Sequence, residues 1–203
     1  MILKEVNQTS RAMTQELDRA FRASSSFSTN VTDHQYINNQ WGGRMCIGQY
    51  SYIWNYGTAL SSTNTNRNMY SSLSSTGNVV VQGTTTRSEI SFVKTTDPGG
   101  AYCIPDGSGA YPNISPDGAT ELLRSCDHSL AIHAFNVTST ATAKDVLSAQ
   151  ALYKISFTLG SSDINALTSD QSQCKPPNVS GSDPNYCSVE QFTIVLRAVS
   201  GVN

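Results

Sequence analysis

Five cysteines, three histidines and a scatter of loop aspartates are the residues of this 203-residue chain whose types could carry chemistry. A zinc site would want a Cys-X-X-Cys pair or histidines at ligand spacing. Cys46, Cys103, Cys126, Cys174 and Cys187 form no such pair, and His34, His128 and His133 stand at ligand spacing from no two of them. A serine hydrolase would want a nucleophile elbow. No Gly-X-Ser-X-Gly occurs, and His133 lies inside an alternating apolar run where a hydrogen-bonded structural histidine is expected. Asp97-Pro98-Gly99-Gly100 and Asp106-Gly107-Ser108-Gly109 are turn formers rather than phosphate-cradling loops. The reading is that the chain is not an enzyme and holds no metal.

The chemistry that suits these cysteines is oxidation. Four of the five lie in loop-like sequence rich in Pro, Gly and Ser, which implies two disulfides and one leftover thiol. Cys174 and Cys187 bracket Lys175 to Tyr186, a run of turn formers that core burial cannot hold. A bridge across such a loop stabilises by about 3 kcal/mol in the chain-entropy model. Cys103 and Cys126 similarly flank a Pro/Gly stretch and are expected to pair, although spacing alone does not fix connectivity. Cys46 falls in a strand-like run and is expected to be a buried free thiol.

The elements that would position these residues follow from periodicity. Ile2 to about Ser26 holds no Pro or Gly, and Val6, Met13, Leu17, Ala20 and Phe21 recur at helical spacing, predicting an amphipathic helix. No capping residue precedes it, so Met1 is read as a non-native start and the helix as continuing upstream. Asn30 to Gly43 reads as a loop and Arg44 to Tyr56 as β-forming. Val79 to Val81 and Glu89 to Lys94 read as short strands, and Ala119 to Arg124 as a helical turn. Asp97 to Gly118 is too rich in Pro and Gly for regular structure. Three clean alternations, Leu130 to Val137, Leu152 to Leu159 and Phe192 to Val199, predict strands. The fold expected is α+β, one domain over 1–203. Residues 1–26 form a long helix packed on an antiparallel sheet, and 27–203 form a β-rich part with long disulfide-closed loops.

Composition sets the setting. Charged residues are 14% of the chain, against roughly 25% in average usage, with Ser, Thr, Asn and Gly in their place. That suits an exported surface protein. A net charge of −2 gives no general footprint for nucleic acid or an anionic membrane, and no run approaches the roughly 20 apolar residues of a spanning helix. Asn-X-Ser/Thr triplets at Asn7, Asn30, Asn113, Asn136 and Asn178 are what so Asn/Ser/Thr-rich a chain produces by chance. Trp41, Tyr50, Tyr52, Trp54 and Tyr56, near Arg44, are expected to send alternate members into the core, the rival reading being an adhesive or base-stacking surface.

The run Leu3 to Ser24 (LKEVNQTSRAMTQELDRAFRAS) resembles the C-terminal half of the N-terminal helix of type IV pilins and type II secretion pseudopilins. Phe192 to Ala198 is similar to the last strand of larger minor pilins, and the Cys174 to Cys187 loop before it resembles their disulfide-closed C-terminal loop. The resemblance covers the two ends of the chain and not its middle. It implies a minor pilin or pseudopilin headgroup whose membrane helix is missing here, anchored in the membrane before assembly and then carried on an extracellular filament. Partners would be other pilin subunits meeting Val6, Met13 and Leu17. The alternative is an adhesin or DNA-binding headgroup whose loops Ser61 to Thr76 and Asp97 to Gly118 contact a ligand. Some pseudopilins bind calcium near this loop, which makes Asp163, Asp170 and Asp183 the candidate ligands, although their spacing matches no EF-hand. The acidic residue that the family places near its mature N-terminus has no match, since Glu5 lies in the soluble half.

Overall fold

The computed structural model describes residues 2–24, 35–38, 40–61, 91–109, 111–112, 114, 118–123, 130–139 and 150–199. The expected strand at Val79 to Val81, the start of the expected Glu89 strand, most of the Ser61 to Thr76 loop, His34, His128 and Cys126 lie outside them. Helix α1 spans Ile2–Ala23 and buries Ile2, Val6, Ser10, Met13, Leu17, Ala20 and Phe21. This is the stripe that the 3.6-residue period dictates. Ser10, inside it, satisfies its hydroxyl by donating to Asn7 O at 2.9 Å. The helix ends three residues before the expected Ser26.

Among the described residues eight strands follow, in two antiparallel sheets rather than the single expected meander. The first sheet has the order β1 (Tyr36–Asn38), β2 (Gly42–Ile47), β3 (Tyr50–Asn55), β4 (Phe92–Thr96) and β5 (Thr120–Glu121). The second is β6 (Leu130–Ser139), β7 (Gln150–Ser161) and β8 (Val189–Val199). The run expected as one strand from Arg44 to Tyr56 is a hairpin. Ile47 faces Tyr50 across a turn in which Gly48 takes φ 60°, the left-handed conformation that a two-residue hairpin demands. The expected loop from Asn30 contains β1, and the expected helical turn at Ala119 is β5, whose Lys94↔Thr120 and Val93↔Glu121 pairing overrides local propensity. A short helix, α2 (Gly57–Ser61), leaves β3. Single 3-10 turns stand at Ala101–Cys103 and Ile164–Ala166.

One core joins α1 to both sheets. Aromatic rings carry it across the interface: Phe92 stacks on Trp54 at 5.7 Å, Trp54 meets Phe135 at 4.5 Å, Phe135 stacks on Phe157 at 6.1 Å, and Phe157 on Phe192 at 5.3 Å. These rings come from β4, β3, β6, β7 and β8 in turn. Of the aromatic run, Tyr52, Trp54 and Tyr56 are core residues, as expected. Helix α1 lies over β8 and touches β7 more lightly, with Phe21 5.3 Å from the Tyr153 ring. A side chain of this size, fully buried, stabilises by about 1.5–3 kcal/mol.

The second face of the first sheet is covered too. Ile53, Val93 and Ile114 form a small core with Tyr102 and Ala119, so these three residues outside the strands, Tyr102, Ile114 and Ala119, lie over β3 and β4. All six residues of β2 are buried.

Candidate assembly and display site

The stripe Val6, Met13 and Leu17, expected to meet neighbouring subunits, is instead covered by this chain: their exposures are 0%, 1% and 0%. The correction has a simple cause. The three-stranded sheet offers an apolar face long enough to bury the whole stripe, including its N-terminal part around Val6. What α1 turns outward is mostly polar, Leu3 being the exposed large apolar side chain on it. Lys4, Asn7, Gln8, Arg11, Ala12 and Gln15 line a shallow groove of about 710 Å³ along it. Farther on, Arg22 pairs with Asp18 at 2.8 Å and Arg19 with Glu16 at 3.8 Å. Glu16 also accepts from Tyr52 Oη at 2.8 Å and from Lys94 Nζ at 2.5 Å, which ties the helix to β3 and β4. Burial alone would raise the Glu16 pKa, but hydrogen bonds from Lys94 and Tyr52 outweigh it and hold it below the ordinary carboxylate value.

The 97–112 loop is pinned by buried polar groups. Arg44, on β2, is fully buried. Its Nη1 donates to Tyr102 O at 2.7 Å and Pro112 O at 3.0 Å, and its guanidinium lies 5.2 Å from the centre of the Tyr111 ring. Burial pulls its pKa down to about 9, so the group stays charged at neutral pH. Asp97 is the buried carboxylate of the same region: it accepts from Ser51 Oγ at 2.7 Å and from the Ala101 and Tyr102 N–H groups at 2.9 Å each.

Beside them Cys46 is bonded to Cys103. The expectations of a Cys103–Cys126 bridge and a free Cys46 are thereby both corrected. Cys46 sits two residues beyond Arg44 on β2, under the 3-10 turn that carries Cys103, so the partner is set by the loop folding over the sheet rather than by sequence proximity. The pinned loop then presents Ile104, 57% exposed, and an Asp106 that accepts from Ser108 N and Oγ.

The second expected bridge, Cys174–Cys187, is present. Its loop rests on Ala166, Leu167 and Val189 and exposes Val179 and Tyr186. Two disulfides point to an oxidising compartment, outside the cytosol. Asp163, Asp170 and Asp183 are not brought together. Asp163 accepts from Asn165 N, Asp170 from Thr168 Oγ1 and from Ser172 N and Oγ, and Asp183 from Tyr186 N, so each closes its own turn. Among the described residues no group of three His, Cys, Asp or Glu gathers as a metal site would require.

His133 occupies the irregularity in β6 where the register with β7 shifts. Its two ring nitrogens face two acceptors, Nε2 at 2.9 Å from Ser161 O and Nδ1 at 2.8 Å from Gln171 Oε1, so the neutral ring donates to one of them at a time, while Gln171 Nε2 donates onward to Thr58 Oγ1 at 2.8 Å. Gly57 is required here, since a Cβ would come within 2.8 Å of the imidazole. Gln171 itself takes φ 56°, a left-handed conformation costing a non-glycine residue about 1–2 kcal/mol, and its side-chain bonds hold it there. Burial lowers the His133 pKa, with the Gln171 and Ser161 hydrogen bonds opposing. The histidine is a strut between β6, the end of β7 and, through Gln171, α2.

The Arg44–Asp97 pin escaped sequence reasoning. Its one visible signal is a cation inside the otherwise uncharged run Gly42-Gly43-Arg44-Met45-Cys46-Ile47. Comparison with protein-family models, curated proteins and solved structures finds no match.

Proposed function

We propose that this chain is a structural subunit of a type IV pilus or related secretion filament, a minor pilin that acts in filament assembly and carries its loops on the cell surface. It works by packing and display, not catalysis. The observation that carries the reading is the helix. A 22-residue α1 is laid lengthwise on a sheet with its apolar stripe used up internally, and an outward face bearing Lys4, Arg11 and amide side chains is left along a groove. The resemblance of Leu3 to Ser24 and of the disulfide-closed loop before β8 to pilins supports it. The assembly contact therefore falls on Lys4, Asn7, Gln8 and Arg11 rather than on Val6, Met13 and Leu17, and the membrane-anchored state precedes assembly.

The test is made in the producing cells. The double substitution Lys4→Glu and Arg11→Glu is expected to cut sheared surface filaments sharply while leaving the thermal midpoint of the purified chain unchanged. Filaments that persist unaltered both in this variant and in a gene deletion overturn the proposal.

A second reading, an adhesive headgroup displayed at the filament tip, is favoured by Ile104, an exposed apolar side chain on a loop fixed by a disulfide and two buried charges. Ile104→Ser is then expected to weaken attachment to surfaces without changing filament number.

A further inference from the structure

The two outer strands of the second sheet are finished in opposite ways. On β6 the outward backbone groups are sealed by side chains from the first sheet. Phe135 O accepts from Tyr36 Oη at 3.1 Å and Asn38 Nδ2 at 2.9 Å, while Phe135 N and Val137 N donate to Tyr56 Oη and Tyr36 Oη at 3.2 Å each. The first sheet ends on strands of three and two residues, too short to template another chain.

Among the described residues nothing comparable closes β8. It pairs with β7 through eleven successive residue pairs without a register shift. Ser161 N donates to Ser188 O at 3.0 Å just before the strand, which fixes the alternation. Glu190, Phe192, Ile194, Leu196 and Ala198 turn their backbone groups toward β7, and Gln191, Thr193 and Val195 turn theirs away. Among the described residues the backbone groups of these three meet no partner. Of the usual guards of an edge, Val189–Val199 carries charge only near its two ends, at Glu190 and Arg197; it contains no Pro, no Gly and no bulge, and Val195 near its middle is 61% exposed.

Alternating donors and acceptors at a two-residue repeat of about 6.8 Å are matched by an extended polypeptide. A second copy pairing β8 with β8 about a two-fold does not fit. Helix α1 lies over β8 itself, so strands about 4.8 Å apart would force together two helices that need about 8–10 Å. A lone strand meets no such obstacle. On the helix side it would lie beside the half-buried Phe192 and Ile194. On the outer side it would meet Val195 with its cross-strand neighbour Lys154, then Arg197.

We propose that the β8 edge accepts a single extended strand from a partner polypeptide, one that alternates apolar residues toward α1 with acidic residues on the outer face. This stands independently of the filament reading. The probe is a nine-residue synthetic peptide alternating valine with glutamate, added to the purified chain with its disulfides intact, and the readouts are amide hydrogen exchange and binding. The Thr193 and Val195 amides are expected to exchange freely in the isolated chain and to become protected with the peptide. A valine–lysine peptide is expected to bind less. Val195→Pro removes an outward N–H but none of the bonds to β7, so it should abolish binding with an unchanged melting midpoint. Ile194→Pro, which breaks the β7 ladder, should unfold the sheet. The proposal is overturned if those amides are already protected without peptide, if peptide adds no protection, or if binding survives Val195→Pro. Protection that grows with protein concentration alone, together with a sedimenting dimer, overturns it in favour of self-pairing.

Discussion

Replacing Asp97 by alanine isolates the contribution of the buried pin beneath the displayed loop. The carboxylate is nearly inaccessible and receives three hydrogen bonds, two of them from the Ala101 and Tyr102 N–H groups of the 3-10 turn. Ser51 can turn its hydroxyl elsewhere, but two backbone N–H groups fixed in that turn cannot. A buried donor left without a partner costs about 1–3 kcal/mol, so two of them, partly relieved by water entering the vacated space, cost about 3 kcal/mol. Loss of the carboxylate also removes an anion that favours the charged form of buried Arg44. Against a typical stability of about 5–15 kcal/mol this is a large fraction. With a urea slope of about 2–3 kcal/mol/M, the midpoint should fall by about 1–1.5 M. Trp54, buried against Phe92 and Phe135, reports the transition by fluorescence. Asp97→Asn, which keeps one acceptor, should lose about half as much. An alanine variant within about 0.5 kcal/mol of the parent would refute the reasoning and leave the Cys46–Cys103 bridge and Arg44 to hold the loop.

Two further outcomes follow from burial. Val6→Asp places an uncompensated charge at a fully buried position and should cost several kcal/mol, read as loss of the cooperative melt in circular dichroism; a folded Val6→Asp chain would mean that the stripe around Val6 is free of the sheet. His133 has a folded pKa below its ordinary value, so the unfolded chain binds more protons and stability declines as pH falls through the ordinary histidine range. Urea midpoints at about pH 7.5 and about pH 5 should therefore differ less in His133→Gln than in the parent, and an equal difference would show that the strut does not titrate.

Legibility in the sequence tracked how each segment is covered. The strands β6, β7 and β8 could be read because one face is buried and the other wet, so Ile155, Phe157 and Leu159 alternate with Lys154, Ser156 and Thr158. The hairpin β2–β3 was blurred into one run because a loop lies on its second face, which buries Arg44 and Cys46 as fully as Met45 and Ile47 and erases the period. The stripe of α1 was plain, but periodicity states that Val6 is buried and not against what. The Cys174–Cys187 bridge closes a local loop of thirteen positions and was legible. Cys46–Cys103 spans 57 and depends on the tertiary path of residues 97–112, which no local pattern encodes.

The buried polar groups and the two disulfides occur at the same joints, and the pairing has a physical logic. Loops built from Gly, Pro, Ser and Asp bring little apolar area, so hydrophobic burial cannot fix their register on a sheet. A bridge restricts the unfolded ensemble but specifies only one point of attachment. Cys46–Cys103 is accompanied by Arg44 and Asp97, which bond backbone atoms at residues 101, 102 and 112. Close to the Cys174–Cys187 loop, Gln171 is held by His133 and Thr58. Each such group makes these bonds in one loop arrangement, and a shift that breaks one strands a buried donor or acceptor at a cost of about 1–3 kcal/mol. The bridge supplies retention and the polar pin supplies register, which is how a chain with few charges and long loops can present side chains such as Ile104 in a fixed place.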